Sequence, residues 1–401
     1  MQNLETEVIG PLVNYGNGLF GKSAQALNIQ TTYLYEYRAL NANAPTNLNA
    51  RTKIIDIMPR QKKGLLRNLY LEANLTNSGS TAVQLLPYVF IIDFLILYFD
   101  NQVLGYWYAE DLYNTNNFKK TDYEVTGEQY QTNISESNYS YYNNTLASQS
   151  TTFMRIDLSP IIQTLGGLLI DGFIPDIRIE INTRPSSSFT TLATSSGANI
   201  TCSAWAIDYG FELLNDVDYS ERYIAQRENT FMYKYVEPIR HISVFPGLNS
   251  GNQYTDTMKD INAKVHAMIF TLRPQSAQNE NLYNYYPLTL MYLKDDNNRI
   301  IGDQEWTAEF VKQNSLRDFP LNFYLSRANA YPWVFSRAIL NVLEAGMSVG
   351  ALYFTGQSES FWFSAAGSLS NVDVEMVISA WIETHLYCDH GMPRIVRVTG
   401  F

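Results

Sequence analysis

The sequence predicts an all-β chain built as two antiparallel eight-stranded jelly rolls, a double jelly roll, with a few short helices in its loops. Three observations carry that prediction. Segments alternating apolar and polar residues recur about 16 times, the mark of half-buried antiparallel strands. A pattern in the first half returns more loosely in the second. A charged segment, residues 215–229, separates the two sets.

The repeating pattern is clearest at residues 64–105. Leu69, Leu71, Ala73 and Leu75 alternate with Asn68, Tyr70, Glu72 and Asn74, which puts the aliphatic set on one face of a strand. Asn77, Ser78, Gly79 and Ser80 supply turn chemistry. A nearly unbroken apolar run follows from Leu85 to Phe99, interrupted by Pro87 and Asp93. It is too short to span a bilayer, which needs about 20 apolar residues, and reads as a buried strand after an irregular start. Asp100 and Asn101 make a turn, and Val103, Leu104 and Gly105 resume. The looser copy is LTLMYLKDDNNRIIGDQEW, residues 288–306, with the same run, turn, aliphatic pair and glycine, then Trp306 among acids.

At 401 residues and 46% hydrophobic content the chain is globular, with room for two cores. Its 29 Tyr and 20 Phe favour pleated surfaces. A formal charge of −11 argues against direct nucleic-acid binding, which needs Lys and Arg to neutralise phosphate. Cys202 and Cys388 read as two reduced core thiols, with no disulfide framework. The stretch MQNLETEVIG lacks the basic start and apolar core of a secretory signal, so synthesis in a cytoplasm is expected.

Residues 1–45 are expected to form an N-terminal arm that packs on something outside its own domain. Gly16, Gly18 and Gly21 break any long helix there, and residues 23–42 have room for a short one. Arg60, Lys62 and Lys63 read as a solvated turn before a strand. The first jelly roll is expected over residues 46–220 and the second over 221–401. Residues 127–150 and 184–197 are polar and aperiodic, so both are expected as exposed loops at an end of the first roll. The glycosylation patterns at Asn133, Asn138 and Asn143 read as loop composition. Strands are marked by Met154, Ile156 and Leu158, by Ile177, Ile179 and Ile181, and by Trp205, Ile207, Tyr209, Phe211 and Leu213.

In the second half, strands are expected at Phe231–Val236, through Ile261, Ala263, Val265, Ala267 and Ile269, at Phe319–Leu325, and from Val372 to Ile382. Residues 303–314 predict a helix capped by Asp303, with Trp306, Phe310 and Val311 on its apolar side. Ala351–Phe354 and Phe361–Ser364 predict a hairpin, and residues 388–401 a short tail.

Chemistry-bearing residues are few. The histidines are His241, His266, His385 and His390. His385, Cys388, Asp389 and His390 are metal-ligating types close in sequence, but no second ligand pair is spaced to complete a site, so they read as ordinary tail residues. His266 lies on the polar side of an alternating strand and is expected exposed. Gly346-Met-Ser-Val-Gly350 matches a nucleophile elbow by letters, but that elbow needs a parallel α/β sheet. No catalytic, cofactor or metal site is predicted, and the chain reads as a non-enzyme. The aromatic cluster Tyr106-Trp107-Tyr108 suits stacking on a sugar or packing under a helix or at a subunit contact.

Two stretches of the first half, IDIMPRQKKGLLRNLYLEANLTNSGSTAV from Ile55 and LILYFDNQ from Leu95, and one of the second, EWTAEFVKQNSLRDFPLNFYLSRANAYPW from Glu305, carry a resemblance. The sequence resembles the double jelly-roll major capsid proteins of tailless, membrane-containing bacteriophages of the tectivirus type, over most of the chain after the arm. The resemblance implies a homotrimer forming a pseudo-hexagonal capsomer of an icosahedral shell, located in the virion. It also implies outer towers built from loops at one end, and an internal arm that meets neighbouring capsomers, other capsid proteins or an internal membrane. The alternative is a jelly-roll carbohydrate- or receptor-binding protein.

Overall fold

The period-two segments fold as ladders, and the order of those ladders defines the architecture. The computed structural model describes residues 32–39, 52–85, 88–119, 144–163, 165, 167–185, 199–275, 285–295, 297, 299–316, 329–335 and 350–398. In the first half, chain order gives β1 (Thr32–Ala39), β2 (Thr52–Ile57), β3 (Gly64–Asn77), β4 (Val83–Leu85), β5 (Ile92–Phe99), β6 (Gln102–Tyr108), α1 (Ala109–Lys119), β7 (Asn144–Leu146), β8 (Ser150–Asp157), α2 (Pro160–Gln163), β9 (Ile177–Thr183) and β10 (Ile200–Leu213). Helix α3 (Asp216–Glu228) leads into the second half: β11 (Thr230–Pro246), β12 (Tyr254–Thr257), β13 (Asn262–Pro274), β14 (Leu288–Lys294), β15 (Ile300–Thr307), α4 (Ala308–Leu316), β16 (Ala330–Val334), β17 (Leu352–Thr355), β18 (Ser360–Ala365), β19 (Asp373–Asp389) and β20 (Met392–Arg397).

The first half pairs its strands as β1-β10-β3-β8 and β2-β9-β5-β6, all antiparallel. The second pairs β11-β19-β13-β16 and β12-β18-β14-β15. Leaving out the short β4–β7 pair and the added strands β17 and β20, each half has eight strands in the order 1-8-3-6 and 2-7-4-5. Two facing four-stranded sheets with that connectivity are a jelly roll, so the chain holds two of them with identical topology. Each has its own core. Leu69, Leu71, Ala73 and Leu75 of β3 meet Leu95, Leu97 and Phe99 of β5 in the first. Met268, Phe270 and Leu272 of β13 meet Phe361 and Phe363 of β18 in the second.

The apolar run at 85–99 begins irregularly, as its proline foretold: β4 gives way to a 3-10 turn at Tyr88–Ile91, then β5. The turn after β3 is organised by the buried Asn77. Its Oδ1 accepts from the Gly79 backbone at 2.9 Å, and its Nδ2 donates to Thr81 O at 2.8 Å.

Several expectations are corrected. The short helix expected within 23–42 is replaced over its described part by strand β1, whose register runs from Thr32↔Leu213 to Ala39↔Ala206. Tyr33, Tyr35 and Tyr37 alternate with Leu34, Glu36 and Arg38, and the edge of β10 decides in favour of the strand. The segment read as an arm therefore contains the first strand of the first roll. The charged segment 215–229 is α3, capped by Asn215 Oδ1 accepting from Asp218 N at 2.8 Å, so a boundary at 220/221 falls within a helix. The helix expected from Asp303 starts at Ala308 instead. Trp306 and Thr307 still pair with β14, and Thr307 Oγ1 accepts from Phe310 N. The hairpin expected at 351–364 is split: β17 pairs with β13, whereas β18 pairs with β12 and β14. The tail holds β20, paired with β19. Within β13 a bulge between Val265 and Ala267 turns Ala267 and Ile269 away from the face that carries Ala263 and Val265. The turn expected at Arg60, Lys62 and Lys63 is in place directly before β3, and there the exposed Arg60 donates to Phe173 O at 2.6 Å and pairs with Asp176 at 3.1 Å. Of the exposed loops expected at 127–150 and 184–197, the described ends differ: residues 144–150 hold β7, with Leu146 buried, and the start of β8, and Arg184 is buried 3.2 Å from Asp93. Residues 127–143 and 186–197, and the strand expected at 319–325, lie outside the described residues.

The placement of β1 gives a first test. Removing residues 1–30 spares β1 and should leave the thermal midpoint unchanged. Removing residues 1–42 uncovers the β10 edge and should cost about 1 kcal/mol per ladder hydrogen bond lost, visible as a lowered midpoint in calorimetry.

Candidate functional interface

The most heavily constructed polar site lies where the two rolls meet. Strand β6 ends at Tyr108 and the chain turns directly into α1. Asp111 in the first helical turn accepts from the Tyr108 backbone N at 3.2 Å, fixing that corner. Carboxylates at a helix N-terminus are favoured by its unpaired N–H groups and dipole. Glu110 and Asp111 then project away from the first roll onto the outward face of β11-β19-β13.

There Arg240 on β11 lies 2.8 Å from Glu110 Oε2 and 3.2 Å from Asp111 Oδ2. Arg273 on β13 donates to Glu110 Oε1 and, at 3.1 Å, to Glu375 on β19. Ser379 Oγ donates to Asp111 Oδ1 at 2.7 Å. The Arg240 guanidinium stacks 4.1 Å from the Tyr108 ring centroid. None of these charged side chains is more than 7% exposed. Burial alone would raise the Glu110 pKa, but the charges of Arg273 and Arg240 outweigh it and hold the carboxyl at about 2. Burial likewise opposes the charge on Arg240, and Asp111 and Glu110 more than restore it.

Farther along the same seam, Tyr235 donates to Leu104 O at 2.7 Å and Gln102 Nε2 to Pro393 O at 3.2 Å. Buried Glu237 accepts from Arg397 and Thr384, each at 2.9 Å. Strands β11 and β19 overshoot their own roll: Tyr235, Leu386 and Cys388 belong to the first roll's core.

The residues weighed at the C-terminal end do not converge. Along β19 the side chains of His385 and Cys388 fall on opposite faces. His385 meets Glu383 at 3.0 Å. Cys388 is buried in the first core, and burial pushes its thiol up to about 12. His390 sits in the exposed β19–β20 turn beside Asp389. Among the described residues no group of three His, Cys, Asp or Glu side chains is placed to hold a metal. His266 is buried rather than exposed, because the polar face of β13 is covered as well. It meets Gly350 O at 3.0 Å and Glu383 at 3.3 Å. His241 sits between Asp256 and Asp260, 3.0 Å from each. Burial opposes its charge, but the two aspartates raise its pKa. The nucleophile-like stretch lies outside the described residues except Gly350. In the aromatic cluster, Trp107 is core, while Tyr106 stacks on Phe94 at 4.8 Å and Tyr108 lies under Arg240.

Sequence reasoning missed Glu110, Asp111, Arg240, Arg273 and Glu375. Their only signal was local: between Glu375 and Glu383, β19 reads MVISAWI, apolar or small on both faces, which marks a strand covered on both sides.

No family model and no curated protein matches the sequence. Solved structures do match the fold. PBCV-1 VP54, as fitted into a reconstruction of the virophage Sputnik, superposes with a TM-score of 0.66 at 10% identity, covering 92% of this chain and 98% of that one. The Faustovirus major capsid protein gives 0.64 at 9% identity, covering 90% and 91%. The STIV major capsid protein gives 0.52 at 13% identity, covering 88% and 96%. The chain has the double jelly-roll fold of these viral major capsid proteins, along nearly their full lengths.

Two tests follow from the buried cluster. Arg273→Met strands Glu110 and Glu375 without their shared cation and should destabilise the chain by about 3–5 kcal/mol in urea unfolding. Glu110 has a depressed folded-state pKa. Its stabilisation is therefore complete above the unfolded value, near 4.5, and is lost as pH falls towards about 2. The thermal midpoint of the wild type should drop across that window, and Glu110→Gln should remove this part of the pH dependence.

Proposed function

We propose that the chain is a structural major capsid protein whose homotrimers form pseudo-hexagonal capsomers of an icosahedral shell. The observation that carries this reading is the pair of jelly rolls with identical strand order, locked together through a buried ionic contact, matching viral major capsid proteins over about nine-tenths of the chain. Three chains with two similar rolls each supply six similar lobes, the geometry a hexagonal lattice position needs. The buried polar groups support the same reading, because they are engaged with one another as structural ties between strands and between rolls. The N-terminal segment before β1 is the part we assign to contacts with neighbouring capsomers, other capsid proteins or an internal membrane.

Light scattering and negative-stain electron microscopy of the purified chain test the proposal. The expected result is a mass of three chains and particles with a six-sided outline. A monomer that binds glycans on an array would favour the carbohydrate- or receptor-binding alternative.

A further inference from the structure

The strand-to-helix corner that builds the contact between the rolls occurs twice. At the end of β6 it reads Trp107-Tyr108-Ala109-Glu110-Asp111-Leu112, and at the end of β15 it reads Trp306-Thr307-Ala308-Glu309-Phe310-Val311. Both follow the fifth strand of their roll. The positions that face each roll's own interior agree in burial: Ala109 and Ala308 are both 0% exposed, Leu112 is 0% and Val311 is 1%. The positions that face away do not agree. Glu110 and Asp111 are buried under the second roll, whereas Glu309 is exposed and Phe310 is 49% exposed. Phe310 packs edge-on against Trp306 at 4.7 Å, and the buried Trp306 Nε1 finds no acceptor among the described residues. One corner is covered and its twin is open.

The surface that covers the first corner is the outward face of a sheet in 1-8-3-6 order. The first roll has such a sheet too, β1-β10-β3-β8. Its outward face carries Phe153 on β8, 48% exposed, the exposed large apolar side chain on that sheet among the described residues. Phe153 adjoins a charge group in which the partly exposed Arg155 lies 3.0 Å from buried Glu72 and 2.8 Å from buried Asp208. The chain thus presents an open corner with an apolar tip and, on the β8 edge of that outward face, one exposed aromatic side chain beside a buried polar middle.

We infer that the corner around Phe310 of one copy docks on the outward face around Phe153 of a second copy, a counterpart between chains of the contact the chain makes within itself, shifted on the receiving sheet from the first, eighth and third strands to the sixth. The occupant of both surfaces is this same chain. The contact is heterologous, so it propagates head to tail and closes when the rotation completes a ring. The inference rests on the capsomer reading and assigns its subunit contact to particular residues. Where the internal contact places Asp111 against arginines, the contact between copies places Phe310 against Phe153, an apolar pairing.

The test uses Phe310→Asp and Phe153→Asp in the full chain, with mass from light scattering and folding checked by circular dichroism. Both side chains are about half exposed, so each variant should fold. Should either fail that check, Phe310→Gln or Phe153→Gln replaces it. Each variant alone should fall from three chains to one. An equimolar mixture should recover particles of two chains, because one intact corner and one intact face remain between the two variants. A variant that keeps the mass of three chains overturns this contact and leaves the capsomer reading standing. Two monomeric variants that do not pair on mixing overturn the head-to-tail geometry. A wild-type chain that is itself monomeric overturns the capsomer reading and this contact with it.

Discussion

The relative placement of the two rolls depends on burying Glu110 and Asp111 against Arg240 and Arg273. Taking ions out of water costs several kcal/mol each, and only close, well-directed partners offset that cost. The cluster meets the condition in one register. A shift of β6 along β11 would leave two carboxylates and two guanidiniums buried without partners, so the ionic contact selects a docking geometry more than it adds stability. The corner that presents the two acids needs a close approach of backbone to aromatic ring. A Cβ at Gly105 would lie 3.1 Å from Trp107 Nε1 and 3.6 Å from Glu237 Oε2. The glycine that marks the repeat in the sequence makes room for the Trp107 ring of its own strand, while a Cβ there would meet Glu237 of the second roll only at ordinary contact distance.

The seam also shows that the two rolls are not energetically separate. Strands β11 and β19 pair over their whole length, from Thr230↔Asp389 to Pro246↔Asp373. Their inner portions build the second core through Met376, Ile378 and Ala380, and their far ends complete the first through Tyr235, Leu386 and Cys388. The β19–β20 turn reaches the first roll too, where Gly391 O accepts from Ile174 N at 2.9 Å. Helix α3 bridges the same gap, with buried Gln226 donating to Leu169 O at 3.2 Å. Rigid-body motion between the rolls would have to draw Tyr235, Leu386 and Cys388 out of the first core as well as break the ionic cluster.

The strands were legible because one face of most of them is apolar and the other is not, and that contrast survives in a single sequence. It failed where burial is two-sided. His266 reads as exposed from alternation alone, yet the outward face of β13 is covered, and the residue is sealed against Glu383. Helix α4 was placed too early because Trp306 has the spacing of a helical apolar face, while the ladder to β14 holds it in a strand. The sequence marks residues 388–401 only as a short tail because β20 takes its order from pairing with β19, which its own composition does not announce. The ionic seam was illegible for a different reason. Its partners are separated by more than a hundred positions, as in Arg240 with Asp111 and Arg273 with Glu110, and no local pattern encodes a long-range charge pair.

Identical topology with different chemistry at the same corner has a physical logic. Within one chain, α3 and the shared strands hold the two rolls together, so their contact carries little of the translational and rotational cost of association. It can use buried ions, whose net gain is small and whose selectivity is high. A contact between separate chains must overcome that cost from its own favourable terms, and apolar burial, at roughly 25 cal/mol per Å², supplies them more reliably than desolvated charge. Phe310 occupies in the second roll the position that Asp111 occupies in the first. A duplicated unit whose two copies face these different requirements is expected to keep its core positions and diverge on its outward ones. Ala109 with Ala308 and Leu112 with Val311, set against Asp111 with Phe310, follow that division.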